Sequence, residues 1–389
     1  MQRIGLPERP DWRDKAAAVG FGFHTLYGEP YWVDAAAYSF TLEEIEGSIE
    51  PAAEALHALC LELVDSVVDD EAALARLHIP PAQFDLVRDS WRAGDRHLYG
   101  RFDLAWSGEG DPKLLEYNAD TPTSIFEAAF FQHNWLIDQV EAGALPDDTD
   151  QFNWLQESLV EAFGEWDADR IFHFACATAN EEDTGTTRYL MDCAVQAGHR
   201  VELIDVSDIG VDAHGRFTDT DDRTIDRCFK LYPWEDMVRE PFADHLRPGV
   251  FVEPPWKMLL SNKAVLPMLW ERHSGHPNLL PAFAEGDPAA AELTSFVVKP
   301  VFSREGENIA LTLDGREVEV AGGDYGDEPR IVQAYMPLFR AGTGDDDRHA
   351  VLGAWMIGDR AAGLGVREDA SLITRDTSRF VPHVVLEPD

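Results

Sequence analysis

The sequence has few cysteines, few basic residues and no long apolar segment. Its 389 residues include only four cysteines, which lie far apart and form no Cys-x-x-Cys pair: Cys60, Cys176, Cys193 and Cys228. We therefore expect buried free thiols rather than a zinc or redox site. No stretch approaches the roughly 18 to 20 consecutive apolar residues that span a membrane, and the opening MQRIGLPERPDW has no apolar signal region. These absences predict a soluble, cytoplasmic protein with no membrane partner.

The charge balance is strongly one-sided. Asp and Glu number 72 against 32 Lys and Arg, which gives a formal net charge of -40 at pH 7. So large a negative charge repels DNA, RNA and anionic membrane surfaces, so we expect no nucleic-acid partner. The excess fits two interpretations: a solvated, salt-adapted surface, which we favour, or attraction of a polycationic substrate. Local groups of Lys and Arg are informative in such a chain, because they indicate a site for an anion.

Patterns in the first part of the chain predict helices around a short β-hairpin. Thr41 and Glu44 have the spacing of a capping box, and an amphipathic helix is predicted to follow to about Asp69. A second helix is predicted at residues 82–93. Pro122 predicts the start of another helix, because proline suits the first helical turn. Residues 1–165 are therefore predicted to form an N-terminal helical region that carries the hairpin.

The pattern then changes to strand, helix, strand. Residues 171–177 and 201–205 are apolar runs of strand length, and residues 186–197 have helical periodicity, so region 166–260 is predicted to contain a Rossmann-like βαβ unit with parallel strands. No Gly-x-Gly-x-x-Gly motif follows the first strand, so a dinucleotide site there has little support. Region 261–389 alternates strands with glycine-rich and acidic turns and is predicted to be a nucleotide-binding lobe. Its predicted strands are residues 295–300, 308–313, 330–335 and 349–357. The predicted fold class is α/β, with α+β lobes.

One hairpin in the first region groups four polar side chains. Two β-like runs are separated by the turn sequence Ser-Gly-Glu-Gly-Asp-Pro. Residues two apart in a strand share a face, so Arg101 and Asp103 point to one side, as do Glu116 and Asn118. If the strands pair antiparallel with Asp103 opposite Glu116, Arg101 lies opposite Asn118, and the same register closes the hairpin. All four side chains then form one patch.

The chemistry of this patch predicts a metal site. Two carboxylates and an amide oxygen are hard oxygen ligands, which suit Mg²⁺ when phosphates and water fill its other positions. The adjacent Arg101 supplies a fixed fork of N–H groups for a phosphoryl or carboxylate oxygen. We therefore predict that Asp103, Glu116 and Asn118 bind magnesium. The alternative is a solvated hairpin with cross-strand ion pairs, which has no need of Asn118.

Several segments, in order along most of the chain, match one known family. They are Arg101-Phe-Asp103, Leu115-Glu-Tyr-Asn-Ala-Asp-Thr-Pro-Thr123, Pro254-Pro-Trp-Lys257 with Ser261-Asn-Lys263, Val298-Lys-Pro-Val-Phe-Ser-Arg-Glu-Gly306, Ile331-Val-Gln-Ala-Tyr335 and Gly363-Leu-Gly-Val-Arg-Glu-Asp369. These segments resemble the glutathionylspermidine synthase family, including its stand-alone synthetase-like acid–amine ligases. The resemblance implies an ATP-grasp fold and an enzyme that uses ATP and two Mg²⁺ ions.

The resemblance also implies roles for single residues. Arg101 and Arg367 would be catalytic, and Asp103, Glu116 and Asn118 would hold magnesium. The residues implied at the nucleotide are Arg101, Phe102, Asp103, Lys263, Lys299, Arg304, Gly306, Gln333, Arg367, Glu368 and Asp369. The residues assigned to the substrates are Thr121, Thr123, Glu181 and Glu182. The last two lie in the predicted turn after the first βαβ strand, where they are candidates to bind an amine cation; the alternative is a solvated or helix-capping acidic pair.

Some of these roles have separate support in the residues. Lys299 follows an apolar run, where a lysine is normally avoided, so it must be paired with an anion or else extend its ammonium group from an edge strand to solvent. Gly306 allows backbone N–H groups to approach a phosphate, although it fits an ordinary turn equally well. Gln333 stands on a β-branched run, so its place at the adenine rests on the resemblance.

The predicted activity is formation of an amide from a small-molecule or peptide carboxylic acid and an amine, including polyamines, through an acyl phosphate. Bifunctional members of the family carry an amidase domain before the synthetase. We expect none here, because the hairpin lies close to the start of the chain and Cys60 has no Cys/His motif around it. Two alternatives use the same ATP site: a carboxylate or small-molecule kinase, and a non-catalytic ATP-binding module.

Overall fold

The computed structural model describes residues 1–344, 347–375 and 377–387. Its α-helices are α1 (Trp12–Ala18), α2 (Leu42–Glu44), α3 (Glu50–Val67), α4 (Glu71–Arg76), α5 (Phe84–Ala93), α6 (Gln132–Glu141), α7 (Leu155–Phe163), α8 (Glu181–Gln196), α9 (Trp234–Met237) and α10 (Val265–Arg272). Its strands are β1 (Gln2–Gly5), β2 (Thr25–Leu26), β3 (Glu29–Pro30), β4 (Ala36–Phe40), β5 (Tyr99–Ala105), β6 (Lys113–Asn118), β7 (Ile171–Cys176), β8 (Arg200–Asp205), β9 (Gly210–Val211), β10 (Phe217–Thr218), β11 (Cys228–Lys230), β12 (Phe251–Val252), β13 (Ala282–Ala284), β14 (Phe296–Pro300), β15 (Ala310–Leu313), β16 (Arg316–Val320), β17 (Arg330–Ala334), β18 (Phe339–Ala341), β19 (Arg348–Ile357), β20 (Arg360–Asp369), β21 (Arg379–Val381) and β22 (His383–Val385). The structure is therefore mixed α/β, as predicted.

The capping box at the start of α2 is confirmed. The Thr41 hydroxyl accepts a hydrogen bond from the Glu44 N–H at 3.1 Å, and the Glu44 carboxylate accepts one from the Thr41 N–H at 2.9 Å. These bonds satisfy N–H groups that have no partner within the helix. A π turn at Ile45–Ile49 continues the helix into α3, which ends two residues before the predicted Asp69. The buried face of α3 packs into the larger of two apolar cores.

The helix predicted to start at Pro122 begins later, at Ile125, and continues through a π turn into α6. Two features prevent an earlier start. The Thr123 carbonyl accepts a hydrogen bond from Arg101 Nη1 at 2.7 Å, and Ser124 has a φ of +73°, which no right-handed helix contains. The segment before the helix is therefore held open beside the hairpin patch.

A six-stranded sheet carries the hairpin. Its order is β21-β20-β19-β5-β6, with β18 on the free part of β19. Gly353 on β19 lies opposite Asp103, and a Cβ atom added there would lie 2.8 Å from Cδ of Arg101. Glycine thus lets the arginine lie flat across the sheet. Because β19 and β20 come from region 261–389 and β5 from region 1–165, these two predicted regions share one sheet, and the three-region division stays a prediction.

The βαβ unit is present. Strands β7 and β8 pair in parallel from Ile171↔Arg200 to Cys176↔Asp205, and β11 and β12 extend this parallel sheet. Helix α8 connects β7 to β8 but begins at Glu181, five residues before its predicted start. The reason is Asn180, whose side chain caps the helix by accepting from the N–H groups of Glu182 and Asp183.

The last large sheet has the order β13-β17-β14-β15-β16, and the strands predicted in this region are confirmed to within two residues at each end. The four cysteines are buried free thiols, as predicted. Among the residues that the structure describes, no helix is long and apolar enough to cross a membrane. The cytoplasmic location stays a prediction.

Candidate active site

The hairpin of β5 and β6 has the predicted register at the patch. Arg101 lies opposite Asn118, and Asp103 lies opposite Glu116. The register then shifts by one residue, so the expectation that it continues to the turn is wrong. Leu115 is the extra residue, and its carbonyl oxygen accepts a hydrogen bond from Lys299 at 2.9 Å instead of pairing in the ladder.

The Asn118 side chain bridges the two carboxylates. Its amide nitrogen lies 3.3 Å from Oδ2 of Asp103 and 3.4 Å from Oε1 of Glu116, so all three side chains share one face. The amide nitrogen and oxygen exchange places when the group is rotated by half a turn, which brings the oxygen to face the carboxylates. Two carboxylates and one amide oxygen then form an oxygen donor set that fits Mg²⁺.

Two arginines from distant parts of the chain meet on Asp103. Arg101 donates from Nε to Oδ1 at 2.6 Å and from Nη2 to Oδ2 at 3.1 Å, and Arg367 on β20 donates from Nη2 to Oδ2 at 2.7 Å. Arg101 is 6% exposed. The buried carboxylate thus holds both guanidinium groups in place, with the remaining N–H donors available to an anionic ligand.

Two lysines from outside the hairpin complete the cationic part of the site. Nζ of Lys263 lies 3.2 Å from Oε2 of Glu116. Burial alone would raise the pKa of Glu116, but the charges of Lys263 and Lys299 outweigh it and hold that pKa below its usual range. Burial lowers the pKa of Lys299 to about 8, although the charge of Glu116 acts in the opposite direction. Both lysines therefore place their positive charge close to the carboxylate of Glu116.

Gln333 joins the five-stranded sheet to the hairpin. Its side-chain oxygen accepts from Nζ of Lys299 at 2.8 Å, and its side-chain nitrogen donates to the carbonyl of Leu114 at 2.9 Å. The residue is 2% exposed and lines the same cleft as the hairpin patch. Its amide thus fixes the position of Lys299, while the contact with adenine implied by the resemblance stays a prediction.

The loop after β14 lines the same cleft as the patch. Arg304 donates to the Thr121 hydroxyl at 2.9 Å and forms an ion pair with Glu235 at 2.5 Å. Gly306 has a φ of +74°, and a Cβ atom added there would lie 2.3 Å from the carbonyl oxygen of Thr374. Only glycine allows both this backbone conformation and this close approach.

These residues surround one cleft with a cavity volume of about 190 Å³. One part is cationic and carries the patch; the other is apolar and is formed by side chains that include Leu115, Val297, Ile309, Leu311, Leu338 and Leu372. A pocket that joins an apolar wall to a few convergent polar groups is typical of a small-molecule site. The binding of a nucleotide in this cleft, with its phosphates at the lysines, stays a prediction.

The structure does not bring Phe102 to this cleft. Its side chain is fully buried on the opposite face of β5, where it stacks on Tyr117 with ring centroids 3.9 Å apart. The alternation of side chains along a strand is the reason, because Arg101 and Asp103 occupy the face toward the cleft. The Phe102 side chain therefore points away from the cleft, and the nucleotide contact that the resemblance implies for this residue stays a prediction.

Glu368 and Asp369 also lie away from the cleft residues. Glu368 points to the other face of β20 from Arg367 and is fully buried between Arg3, at 2.7 Å, Arg379, at 2.6 Å, and the Tyr38 hydroxyl. Asp369 accepts hydrogen bonds from the N–H of Ser371 and the hydroxyl of Ser378 and so stabilises a turn. Both carboxylates have partners within the protein, and the contacts with ATP that the resemblance implies for them stay a prediction.

The four residues assigned to substrates are divided between two cavities. Thr121 and Thr123 line the cleft of the patch. Glu181 is exposed and lines a second cavity of about 920 Å³. Glu182, the next residue on α8, contacts Thr123: burial raises the pKa of Glu182, against the effect of a hydrogen bond from Thr123. One member of the acidic pair thus lines the second cavity, and the other contacts a residue of the cleft of the patch.

A buried carboxyl group beside the site was missed by the sequence reasoning. Glu127 is fully buried, and its Oε1 accepts from the Tyr31 hydroxyl at 2.6 Å. Burial, with the charge of Glu182, raises the pKa of Glu127 to about 8. Its position in an apolar helical run was the available signal, because a carboxylate is rarely buried there without a partner.

Comparison of the fold with solved structures identifies the class of protein. Over 97% of this chain and 95% of the other, the structure matches a solved apo structure of a glutathione synthetase-like effector from Globodera pallida, with a TM-score of 0.54 and 13% sequence identity. At that identity the likeness shows the fold alone. The protein has an ATP-grasp-like α/β fold.

The sequence then gives the family. The family model described as glutathionylspermidine synthase preATP-grasp matches residues 3–386. A Haemophilus influenzae protein provisionally named an acid–amine ligase is 38% identical over 400 aligned positions, which cover 98% of this chain and 99% of that protein. The chain belongs to the glutathionylspermidine synthase family, and it is a carbon–nitrogen ligase. The sequence-based identification is confirmed.

Two further relatives are longer proteins. Trypanothione synthetase of Crithidia fasciculata is 28% identical over 84% of this chain, which spans 53% of that enzyme. The bifunctional glutathionylspermidine synthetase/amidase of Escherichia coli is 26% identical over 97% of this chain, which spans 64% of that enzyme. The chain thus corresponds to part of each of these relatives.

Proposed function

We propose that the protein forms an amide bond between a carboxylic acid and an amine through an acyl phosphate made from ATP. The observation that carries this proposal is the patch in which Asp103, Glu116 and Asn118 lie together beneath two arginines and two lysines. Fixed cations around oxygen ligands for a metal are suited to stabilise the negative charge of a phosphoryl group during its transfer.

The reaction has two steps. An oxygen of the substrate carboxylate attacks the γ-phosphorus of ATP, and ADP leaves with the electrons of the broken P–O bond. The amine nitrogen then attacks the carbonyl carbon of the acyl phosphate, inorganic phosphate leaves, and the amine loses a proton. Phosphorylation is needed because a free carboxylate is a poor acylating agent. No nucleophilic side chain is required; the protein positions the reactants and stabilises charge.

The residues in and around the patch would have different roles in this reaction. Arg101 and Arg367, fixed by Asp103, would stabilise the oxygens that gain charge in both steps. Lys263 and Lys299 would bind the ATP phosphates, and the loop of Gly306 would cover them. Magnesium, held by the oxygen ligands of the hairpin and expected as two ions, neutralises phosphate charge when bound.

The charges that line the second cavity favour a polycationic amine as the second substrate. Its lining includes three carboxylates, Glu157, Glu181 and Asp192, against one guanidinium group, that of Arg188. Such a lining attracts cations. Glu182 would connect it with Thr123 at the cleft of the patch. The names of the relatives suggest glutathione as the acid and spermidine as the amine for the first trial.

The experiment is a panel of acids and amines incubated with the purified protein, ATP and Mg²⁺, beginning with glutathione and spermidine. We expect ADP release only when both partners are present, and a product whose mass is the sum of the two less one water. Asp103→Asn should abolish this release, whereas Asp85→Asn, a change at an exposed carboxylate, should leave it intact.

Two outcomes would overturn the proposal. ADP release that needs the acid but not the amine, with a phosphorylated acid as the final product, would show a kinase. ATP binding without turnover across the whole panel would show a non-catalytic module. Mass spectrometry of the products separates both outcomes from the ligase.

A further inference from the structure

A second group of possible metal ligands lies outside the cleft of the patch. It consists of His57 on α3, His97 just before β5 and Asp359 in the turn between β19 and β20. Nε2 of His57 lies 2.9 Å from Oδ1 of Asp359, and Nε2 of His97 lies 3.1 Å from the same oxygen. The two imidazole rings are stacked, with centroids 5.6 Å apart. Three rigid parts of the fold thus direct two imidazole nitrogens at one carboxylate.

This group borders its own surface cleft, which has a cavity volume of about 580 Å³. The cleft is lined by His97, Asp359 and aromatic residues that include Trp91, Trp166 and Trp256. None of its lining residues lines the cleft of the hairpin patch. A ligand at the histidines would therefore be separate from the proposed ATP site and would be reached from solvent through this cleft.

The spacing of the three ligand atoms fits a single metal ion. Metal–nitrogen and metal–oxygen bonds of about 2.0 to 2.2 Å at tetrahedral angles place neighbouring ligand atoms roughly 3.3 to 3.6 Å apart. The two histidine–carboxylate distances, 2.9 and 3.1 Å, are a few tenths of an ångström shorter than this separation, and all three atoms lie within 4.8 Å of one another.

We propose that His57, His97 and Asp359 bind a divalent first-row transition metal of the zinc class, with the fourth position open to the cleft. Two imidazoles and one carboxylate form a ligand set that such metals accept, and three protein ligands with one open position are typical of accessible zinc sites. Mg²⁺ does not fit, because it prefers an octahedral shell of oxygen atoms.

The charges around the cleft favour a cation. Its lining contains four carboxylates, including that of Asp359, and two guanidinium groups. Each guanidinium group is paired with a carboxylate: Arg96 with Glu165, and Arg360 with Glu161 at 3.2 Å. The net charge of the lining is thus negative, and an entering cation meets no unpaired arginine among these side chains.

The hydrogen bonding of the two imidazole rings sets the expected affinity of the site for the metal. Nδ1 of His57 and Nδ1 of His97 are buried and have no hydrogen-bond partner among the described residues. A metal at Nε2 places the ring proton on Nδ1, and metal-binding histidines usually donate that proton to an acceptor. The missing acceptor weakens the site, so we expect a dissociation constant in the micromolar range rather than that of a structural zinc.

The test is metal binding by the full chain in the presence of excess Mg²⁺, which occupies the hairpin site. Equilibrium dialysis with Zn²⁺ should give one ion per folded molecule, and Co²⁺ should give the visible absorption of a four-coordinate ion. Asp359→Ala, at an exposed side chain, should lower the affinity by at least about 10-fold and remove the absorption. His97→Gln should do the same.

Two controls locate the ion. Zn²⁺ binding should be unchanged in two variants. Glu161→Ala changes a residue on the same cleft but outside the ligand group, and Asp103→Asn changes a residue of the hairpin patch. Circular dichroism verifies that each variant is folded. The proposal is overturned if folded wild-type protein takes up no Zn²⁺ at tens of micromolar, if Asp359→Ala binds as the wild type does, or if Asp103→Asn abolishes binding.

Discussion

Replacement of Lys299 by methionine tests whether this buried ammonium group binds ATP phosphate. Methionine has a similar length and no charge. In the structure Nζ of Lys299 donates to the Leu115 carbonyl and to Gln333, and the residue is 6% exposed. It has one remaining hydrogen-bond donor, which lies beside the patch where we place the phosphates.

The size of the effect follows from burial. Loss of one partner of a buried charge pair costs roughly 2 to 5 kcal/mol, which weakens ATP binding by roughly 30-fold to several thousand-fold. A lysine that extends to solvent would have a much smaller effect, about 1 kcal/mol or less. Isothermal titration calorimetry with ATP and Mg²⁺ at pH 7 distinguishes the two cases.

The pH dependence gives a second measurement. Burial lowers the pKa of Lys299 to about 8 in the free protein, so the group is mostly charged below pH 8 and loses its proton above it. Bound phosphate favours the charged form and raises that pKa. Between the two pKa values ATP binding therefore takes up a proton, and wild-type affinity should fall by up to about tenfold per pH unit above pH 8. In Lys299→Met this component should be absent.

A matched control keeps the interpretation specific. Lys113→Met makes the same substitution at the start of β6, where the lysine contacts the Pro277 carbonyl and not the cleft. Its ATP affinity and pH profile should match those of the wild type. Equal affinities for Lys299→Met, Lys113→Met and the wild type, with all three folded, would refute the phosphate role of Lys299.

Two further predictions concern residues that lie on or just outside the patch. Arg101→Lys keeps the charge but loses the planar guanidinium group that contacts Asp103. Amine-dependent ADP release should therefore fall by roughly 10²-fold or more, with a smaller change in ATP affinity. Normal turnover per folded molecule, with only a lower midpoint of thermal unfolding, would instead show that Arg101 has a structural role. Glu368→Gln removes the buried charge that holds Arg3 and Arg379, whose side chains are 28% and 29% exposed, so the free energy of unfolding should fall by about 1 to 3 kcal/mol while the ATP affinity of the folded protein stays unchanged. Chemical denaturation and calorimetry measure the two quantities, and a large loss of ATP affinity would return Glu368 to the nucleotide site.

Local periodicity was the most informative property of the sequence. It predicted the face shared by Arg101, Asp103, Glu116 and Asn118, because side chains alternate along any strand. The same rule predicts the direction of the Phe102 side chain, which lies between two residues of the cleft face and therefore points away from them. The resemblance to the family assigned that residue to the nucleotide without regard to its direction.

The same reasoning applies on β20. Arg367 reaches the patch, so its neighbour Glu368 must lie on the other face of the strand. The predicted start of a helix at Pro122 failed for a different reason. The segment before Ile125 is held by a hydrogen bond from Arg101 and by the left-handed backbone conformation of Ser124. Neither feature can be predicted from the local sequence.

The sequence by itself thus determined the family, the chemical types of residue in the site and the directions of side chains within single strands. These depend on covalent geometry and on residues that are near each other in the chain. Only the tertiary structure decided that Arg367 and Lys263 meet the hairpin, and that His57, His97 and Asp359 converge at a second cleft. Such proximity depends on how whole sheets and helices pack, and residues hundreds of positions apart carry no local pattern that records it.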